Sequence, residues 1–164
     1  MTTIAEIRPA RPEDMGQMAD LLNEIIRIGG TTAFEEPVTP GMLEDWYLNA
    51  DAYCCHVAVD SAGNIAGFQA LETSNAYGAG IGEISSFARQ TPKTPGAGTA
   101  LFKATEQAAR AANLTAINAK IRADNVPGLA YYTKMGFQDH GVIPDVPLKD
   151  GTPVDRVLKR YKIA

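Results

Sequence analysis

Residues 93–99 combine residue types that suit the binding of a phosphate group. Gly96 and Gly98 lie two positions apart, and glycine lets a ligand sit directly against the backbone because it has no side chain. A strand-like run precedes this segment and an alanine-rich helix begins within it, so the first N–H groups of that helix have no intrahelical partners. These N–H groups and the positive end of the helix dipole favour an anion. The segment therefore predicts a phosphate or pyrophosphate site.

Two further residues could carry acid–base chemistry. Glu83 lies on the predicted strand that leads into the phosphate turn, and Tyr132 lies on the predicted helix that follows Asn125. A carboxylate can remove a proton and a phenol can supply one. Tyr131 competes with Tyr132 for the phenol role, and each residue also has a plain structural interpretation. Glu83 could be a solvated strand carboxylate, Tyr132 could pack on the sheet, and Asn125 could cap its helix.

The length and composition of the chain restrict the class of protein to which it can belong. A chain of 164 residues is expected to form one domain, spanning residues 1–164. Its 45% hydrophobic and 21% charged residues are ordinary for a globular protein. A net charge of −4 argues against general binding to nucleic acid, which needs a basic face. No apolar run could span a bilayer and no secretory signal is visible, so we expect a cytoplasmic protein with no membrane partner.

The cysteines and histidines give no sign of a disulfide or a metal site. Cys54 and Cys55 are adjacent, and a disulfide between neighbours is strained and rare. His56 and His140 are far apart in sequence, and no Cys or His pair has the usual ligand spacing. We therefore expect free thiols in a reducing compartment and no bound metal.

The hydrophobic pattern predicts the elements that position these residues. The first helix has an apolar stripe at spacings of three and four, and it ends at a pair of glycines, residues 29–30. Further helices are predicted at 40–49, at about 98–113 and from 126 to about 135, and strands at 4–8, 53–59, 65–72, 83–88, 114–121, from 137 and at 155–163. This order predicts an α/β or α+β domain, with a mixed sheet and helices on its faces.

Three segments together resemble the GNAT superfamily of acetyl-CoA-dependent N-acetyltransferases. The pyrophosphate turn of that family, Arg/Gln-x-x-Gly-x-Gly/Ala, is matched by Lys-Thr-Pro-Gly-Ala-Gly at residues 93–98. Its second signature, an Asn followed by Tyr-x-x-x-Gly-Phe, is matched by Asn125 and residues 132–137. The element order matches over essentially the whole chain. The resemblance implies the GNAT fold, a mixed and mostly antiparallel sheet of about seven strands flanked by about four helices.

The resemblance also implies a role for each matched residue. The cosubstrate would be acetyl-CoA, with no metal, held by Phe87, Ala88, Lys93, Thr94, Gly96, Ala97, Gly98, Thr99 and Asn125. Within that set, the backbone of residues 87–88 would bind the pantetheine arm, and the N–H groups of residues 94–99 the pyrophosphate. Glu83 would act as the base through water, and Tyr132 would protonate the leaving thiolate. Two departures stand out: Lys93 replaces Arg or Gln, and Pro95 removes one N–H group from the turn.

A narrower resemblance concerns the acceptor of the acetyl group. Residues 31–37 (Thr-Thr-Ala-Phe-Glu-Glu-Pro) are similar to the Thr-Ala-Thr-Phe-x-x-x-Pro loop of the phosphinothricin and methionine sulfone acetyltransferases, where the amine enters. This implies a small-molecule primary amine, such as an amino acid or an analogue, bound by Thr32, Phe34, Glu35 and Tyr77. In that branch a Tyr and a Thr precede the strand Glu at a fixed spacing. Here the loop at residues 78–82 is about one residue longer and contains no Thr.

Two other functions remain open on the same fold. The chain could acetylate protein termini or lysines, or it could bind acyl-CoA without catalysis. A nucleoside triphosphatase is disfavoured, because the turn lacks the Gly-Lys-Ser/Thr ending that holds phosphates and magnesium. Since many members of the superfamily are homodimers, the resemblance implies a possible homodimer.

Overall fold

The computed structural model describes residues 2–49, 52–74 and 76–163. The strands are β1 (Ile4–Pro9), β2 (Ala52–Asp60), β3 (Ile65–Thr73), β4 (Ile81–Ala88), β5 (Ala116–Arg122), β6 (Gln138–Pro147) and β7 (Pro153–Lys162). The α-helices of the described residues are α1 (Met15–Ile28), α2 (Pro40–Glu44), α3 (Ala97–Ala111) and α4 (Val126–Met135). The strands form a seven-stranded sheet in the order β1-β2-β3-β4-β5-β7-β6. Every neighbouring pair is antiparallel except β4 and β5, so the expected mixed fold is confirmed.

The two faces of the sheet carry separate hydrophobic cores. Helix α1 turns its predicted apolar stripe onto one face, together with α2, and contacts Phe68 and Phe87 of the sheet. Helices α3 and α4 cover the opposite face, where Phe102, Ile117 and Phe137 are buried. Because side chains of a strand alternate between faces, neighbouring residues of β3 and β4 belong to different cores. We call these the α1 face and the α3 face.

Several element boundaries differ from those predicted. The helix expected over residues 40–49 is α-helical only to Glu44 and continues as a π-type turn, Asp45–Asn49. Strand β4 begins at Ile81 rather than at Glu83, because Ile81 pairs with Ala116 of β5. That pairing joins segments far apart in the chain, so local hydrophobic alternation does not reveal it.

Asp14 ties the first strand to the first helix. Asp14 is buried, with 6% of the residue exposed. It accepts hydrogen bonds of 2.7 and 2.9 Å from the Arg8 guanidinium and one of 2.8 Å from the Arg11 backbone N–H. The bonds from Arg8, and then the one from Arg11, lower the pKa of Asp14 below its ordinary value, although burial opposes them. A carboxyl whose pKa is lower when folded stabilises the fold above its unfolded pKa, and that contribution is lost as the pH falls through the folded pKa.

We expect Asp14→Asn to lower the free energy of unfolding at neutral pH by about 2 kcal/mol, a typical value for charge-assisted hydrogen bonds. The loss of stability below about pH 4, where an unfolded Asp titrates, should become shallower. Urea denaturation across this pH range measures both effects. Glu13→Gln is the matched control, because Glu13 is exposed. If the free energy of unfolding fell equally steeply with decreasing pH in the wild type and in Asp14→Asn, the role of the ion pair would be contradicted.

Candidate functional site

Strands β4 and β5 pair only at one end and then separate. Their parallel register covers Ile81, Gly82 and Glu83, opposite residues 116–118. The pairing of β4 with β3 on its other side continues to Ala88. Residues 84–88 therefore present an open edge toward β5, and a gap opens in the middle of the sheet.

The backbone of β4 faces this gap only at alternate residues. The N–H group of Arg89 donates to the carbonyl of Ala66, 2.8 Å away on the β3 side, and Phe87 stands opposite Phe68 in the same register. By this alternation the backbone of Phe87 faces β3 and that of Ala88 faces the gap. This corrects the expectation for Phe87, whose backbone belongs to the β3 ladder. The prediction from sequence ignored strand alternation.

A cavity of about 280 Å³ occupies the gap. Of the residues predicted to bind the cosubstrate, its wall contains Phe87, Ala88, Lys93, Gly98 and Asn125. Thr94, Gly96, Ala97 and Thr99 lie along the turn outside this wall. The polar part of the wall also contains Tyr131, the competitor of Tyr132 for the phenol role, and three residues that the sequence did not single out: Gln69, Ser86 and Gln90.

The turn before α3 has the geometry expected of an anion site. Gly96 is the N-cap residue in the left-handed region, at φ 84°, and no side chain caps the helix. Nothing lies within 4 Å of the position that a Gly96 Cβ would take. The N–H groups of the first turn of α3 therefore have no side-chain cap, and the turn leaves space beside Gly96.

Gly98 is required for a different reason. A Cβ at Gly98 would lie 2.7 Å from Cε1 of Tyr131. The Tyr131 hydroxyl also donates a 2.7 Å hydrogen bond to the Gly98 carbonyl. The space that a side chain at Gly98 would need is therefore filled by an aromatic ring of α4.

We expect Gly98→Ala to destabilise the protein by roughly 1–3 kcal/mol, the usual cost of forcing an extra methyl group into a filled site. Gly16→Ala is the matched control, because this glycine of α1 has nothing within 4 Å of its Cβ position. That control should be neutral or stabilising by up to about 1 kcal/mol. Thermal unfolding of both variants makes the measurement. A Gly98→Ala protein as stable as the wild type would refute the close contact.

Asn125 serves as the N-cap of α4, which was its plain structural interpretation. Its Oδ1 accepts from the Gly128 N–H at 2.9 Å, and its Nδ2 donates to the Thr31 carbonyl at 3.2 Å. The same residue thus begins the helix and tethers the loop that leads to α2, while lying in the cavity wall. Contact with a cosubstrate stays a prediction.

Tyr131 and Tyr132 lie at different depths beside the cavity. Tyr131 is part of its wall, and burial raises the pKa of Tyr131 to about 12. Tyr132 is 7% exposed, and burial raises its pKa further. The Tyr132 hydroxyl donates to Ser86 Oγ at 2.8 Å, and Ser86 belongs to the wall. The phenol predicted to serve as the acid is therefore one hydrogen bond away from the cavity.

On the α1 face, Glu83 stands where the gap begins. Directly opposite on β3 is Glu72, whose pKa is raised by burial and then by the charge of Glu83. The parallel partner of Glu83 is Asn118, whose Oδ1 accepts from Arg160 Nε at 2.6 Å. Burial and then Glu83 raise the pKa of Tyr77, whereas Arg160 lowers it. The structure thus brings two predicted residues, Glu83 and Tyr77, into one charged cluster.

The loop between α1 and α2 uses two of its predicted residues in internal contacts. Thr32 is buried, and its carbonyl accepts from the Arg122 guanidinium at 3.2 Å. The Glu35 carboxylate accepts from the Lys149 backbone N–H at 2.9 Å, in the β6–β7 connection. These bonds hold the loop against the far end of the sheet.

Phe34, the third predicted residue of that loop, lines a second cavity. Its ring stacks on Trp46 with centroids 5.6 Å apart, and it also lies 6.1 Å from the ring of Phe87. This cavity of about 440 Å³ is bounded further by Pro37 and Met42. Phe34 thus lies between the second cavity and Phe87, which is in the wall of the first.

Residues 18–137 match the family model described as "Acetyltransferase (GNAT) family". The chain belongs to this family. The matched region includes the sheet gap, the phosphate turn and both tyrosines, so the resemblance drawn from the sequence is confirmed.

Two curated GNAT relatives extend over nearly the whole chain. An L-methionine sulfoximine/L-methionine sulfone acetyltransferase of Pseudomonas aeruginosa is 28% identical over 165 residues, which cover 97% of this chain and 95% of the relative. The Bacillus subtilis protein YwnH, provisionally named a phosphinothricin acetyltransferase, is 28% identical over 159 residues, covering 94% and 97%. The narrower resemblance to this branch is therefore confirmed as well.

Solved structures show the same fold. A crystal structure of a protein provisionally named a phosphinothricin N-acetyltransferase superimposes with a TM-score of 0.83 at 26% identity, covering 100% of this chain and 99% of that one. A phosphinothricin acetyltransferase of Sinorhizobium meliloti in complex with AcCoA gives a TM-score of 0.86 at 19% identity, covering 99% and 90%. At that identity the second likeness concerns the GNAT fold alone.

Other features of the described residues concern metals, thiols and membranes. Over residues 2–49, 52–74 and 76–163, no cluster of three His, Cys, Asp or Glu side chains could hold a metal ion. Cys54 and Cys55 are free thiols, as expected. In the same part of the GNAT chain, no helix is both long and apolar enough to cross a membrane.

Proposed function

We propose that the chain transfers the acetyl group of acetyl-CoA to the primary amine of a small molecule, with an amino acid or a close analogue as acceptor. The observation that carries this proposal is the cavity in the β4–β5 gap. It joins the N-terminal turn of α3 to the open edge of β4, and that edge starts where the pairing of β4 with β5 ends, at Glu83. The names of the curated relatives support the same class of acceptor.

The residues around the gap suit coenzyme A. The pyrophosphate fits the open side of Gly96 and the N–H groups at the start of α3, and Lys93 adds a positive charge beside them. The amide-bearing pantetheine arm fits the open edge of β4, where the N–H group of Ala88 faces the gap. The Ala88 carbonyl already accepts from Gln90 Nε2 at 2.8 Å. Acetyl-CoA supplies a thioester when it is bound.

The chemistry of the acceptor calls for a base. A primary amine titrates near about 10, so at neutral pH it is mostly protonated and cannot attack a carbonyl. Glu83 can take this proton, directly or through water, from the position where the gap begins. Its neighbour Glu72 adds negative charge that attracts the ammonium group, and Arg160 offers a positive charge for the carboxylate of an amino acid. This cluster therefore favours a zwitterionic acceptor.

A thiol-release assay tests the proposal. The purified protein is mixed with acetyl-CoA and, in turn, with methionine sulfone, phosphinothricin, common amino acids, polyamines and peptides. We expect release with the amino acid analogues. Release with peptides alone would favour a protein acetyltransferase, and binding without release would favour a non-catalytic acyl-CoA module. Failure to bind coenzyme A in calorimetry would overturn the proposal altogether.

We also propose that the protein acts in the cytoplasm as a homodimer. The unpaired edge of strand β6, which carries the exposed residues Val142 (57%) and Ile143 (39%), supports a contact between copies. Light scattering on the purified protein measures its mass in solution, and a monomer at micromolar concentration would contradict the dimer.

A further inference from the structure

A chain of hydrogen bonds joins α3, the sheet and α4 beside the cavity. Gln69, fully buried on β3, lies at its centre. Its Oε1 accepts from Thr105 Oγ1 at 2.5 Å. Its Nε2 donates to the Tyr131 hydroxyl at 3.0 Å and to Ser86 Oγ at 2.9 Å. Both N–H bonds of this amide are therefore used, and both run toward the cavity wall.

The direction of each bond follows from Tyr131. Its single hydroxyl proton goes to the carbonyl of Gly98, which can only accept. The Tyr131 oxygen must therefore accept the bond from Gln69, which assigns the amide nitrogen to that side. The bond from Thr105 to the amide oxygen agrees with this assignment.

Ser86 is left with a proton to donate. Its oxygen accepts one bond from Gln69 and a second from the Tyr132 hydroxyl at 2.8 Å. Ser86 is the acceptor in both of these bonds, so its own hydrogen is used in neither. Since Ser86 lies in the cavity wall, its O–H group is available to a ligand there.

We propose that Ser86 is a catalytic residue. Its O–H group donates a hydrogen bond to the sulfur of coenzyme A as the thioester breaks. The proposal rests on the proposed function. When the tetrahedral intermediate collapses, the electron pair of the C–S bond passes to sulfur and the carbonyl forms again. The thiolate leaves with a hydrogen bond from Ser86 and takes a proton from solvent. The acceptor nitrogen gives up two protons, one through Glu83 before the attack and the second to solvent as the amide forms. Gln69 and Tyr132 are positioning residues that hold the Ser86 oxygen.

Tyr132 is poorly placed to donate directly. Its O–H bond is already directed at Ser86, and its side chain is not part of the cavity wall. Burial also raises the pKa of Tyr132, so its proton is held more firmly. The motif residue therefore acts through Ser86.

The bound thiol of coenzyme A gives a test that does not depend on turnover. A hydrogen-bond donor at sulfur stabilises the thiolate, so it lowers the pKa of the bound thiol. We expect Ser86→Ala to raise that pKa by about one unit, a tenfold change, and to lower kcat by about 10–100-fold, as for loss of a charge-assisted bond. Ultraviolet absorbance of the thiolate, titrated in the complex with coenzyme A, measures the pKa. Ser86→Thr keeps the hydroxyl and should restore both values.

Ser85→Ala is the matched control, because Ser85 is the next residue of β4 and stands opposite Ala70 on the α1 face. It should leave the thiol pKa unchanged. An unchanged thiol pKa in a folded Ser86→Ala protein that still binds coenzyme A would overturn the role of Ser86 and leave the proposed function intact. A thiol pKa that is raised by Tyr131→Phe but not by Ser86→Ala would show that Tyr131, and not Ser86, donates to the sulfur. A wild type that binds no coenzyme A would instead count against the proposed function.

Discussion

Replacement of Glu83 by Gln is expected to lower kcat/KM at neutral pH by about 10²–10³-fold, within the range for removal of a general base. The variant keeps the size of the side chain and its place beside Asn118 at the last paired position of β4 and β5. It loses only the carboxylate that can accept a proton from the acceptor ammonium. The affinity for coenzyme A, measured by calorimetry, should change little, because the phosphate turn is a separate part of the chain.

The pH dependence separates a base from a merely structural residue. In Glu83→Gln the acceptor must lose its proton without help from the enzyme, so the rate should rise steeply with pH until the free amine dominates, near about pH 10. In the wild type this rise should be shallower, because Glu83 takes the proton at neutral pH. Glu72→Gln is the matched control. It removes the facing carboxylate, keeps Glu83, and should cost less than about tenfold. Full activity of Glu83→Gln at neutral pH would show that another group is the base.

The base and the proposed sulfur ligand lie on opposite faces of one strand. Glu83 and Ser86 are three residues apart on β4, so they point to different faces and lie about 10 Å apart along the strand. Because the β4–β5 ladder ends at Glu83, the gap between them opens the sheet at this place. An amine can thus approach from the α1 face while the thiol departs toward the α3 face. Separate faces suit direct attack, in which the nucleophile and the leaving group occupy different positions around one carbon.

The elements with strong local patterns were predictable. The apolar stripe of α1 follows from helical periodicity, which a local sequence window reveals. The helix ends at Gly29, whose φ of 79° is sterically easy for glycine. The turn at Gly96 could be read in the same way, because its role depends on the backbone of one short segment. Motif spacing added the family, which local patterns alone do not identify.

The details of the site depended on contacts between distant segments. Adjacent residues of a helix point about 100° apart, so spacing to Gly136 could not decide whether Tyr131 or Tyr132 borders the cavity. In the same way, β-strand register decides that Ala88 rather than Phe87 turns its backbone to the gap. The sequence does contain one sign of the polar network around Gln69. Gln69 stands within an apolar strand, and a buried amide requires polar partners. Such partners are the hydroxyls of Thr105, Tyr131 and Ser86.

The second large effect is expected at the phosphate turn, where Gly96→Asp should bind coenzyme A on the order of 100-fold more weakly than Gly96→Asn. Asp and Asn have the same shape, and both tolerate the left-handed conformation that Gly96 adopts at φ 84°. Strain at the turn should therefore be nearly equal in the two variants, and their difference isolates charge.

The Cβ direction of Gly96 is open, so the new carboxylate fits without a clash and lies at the same helix N-terminus as any pyrophosphate held by the N–H groups of α3. A negative charge about 5 Å from a phosphate, at an effective dielectric constant of about 20, costs about 3 kcal/mol, which corresponds to this factor. Calorimetric titration with coenzyme A measures both affinities, and the difference should shrink in high salt because ions screen the repulsion. Equal affinities of the two variants would mean that the phosphates lie away from this turn, and the anion site at residues 93–99 would then be wrong.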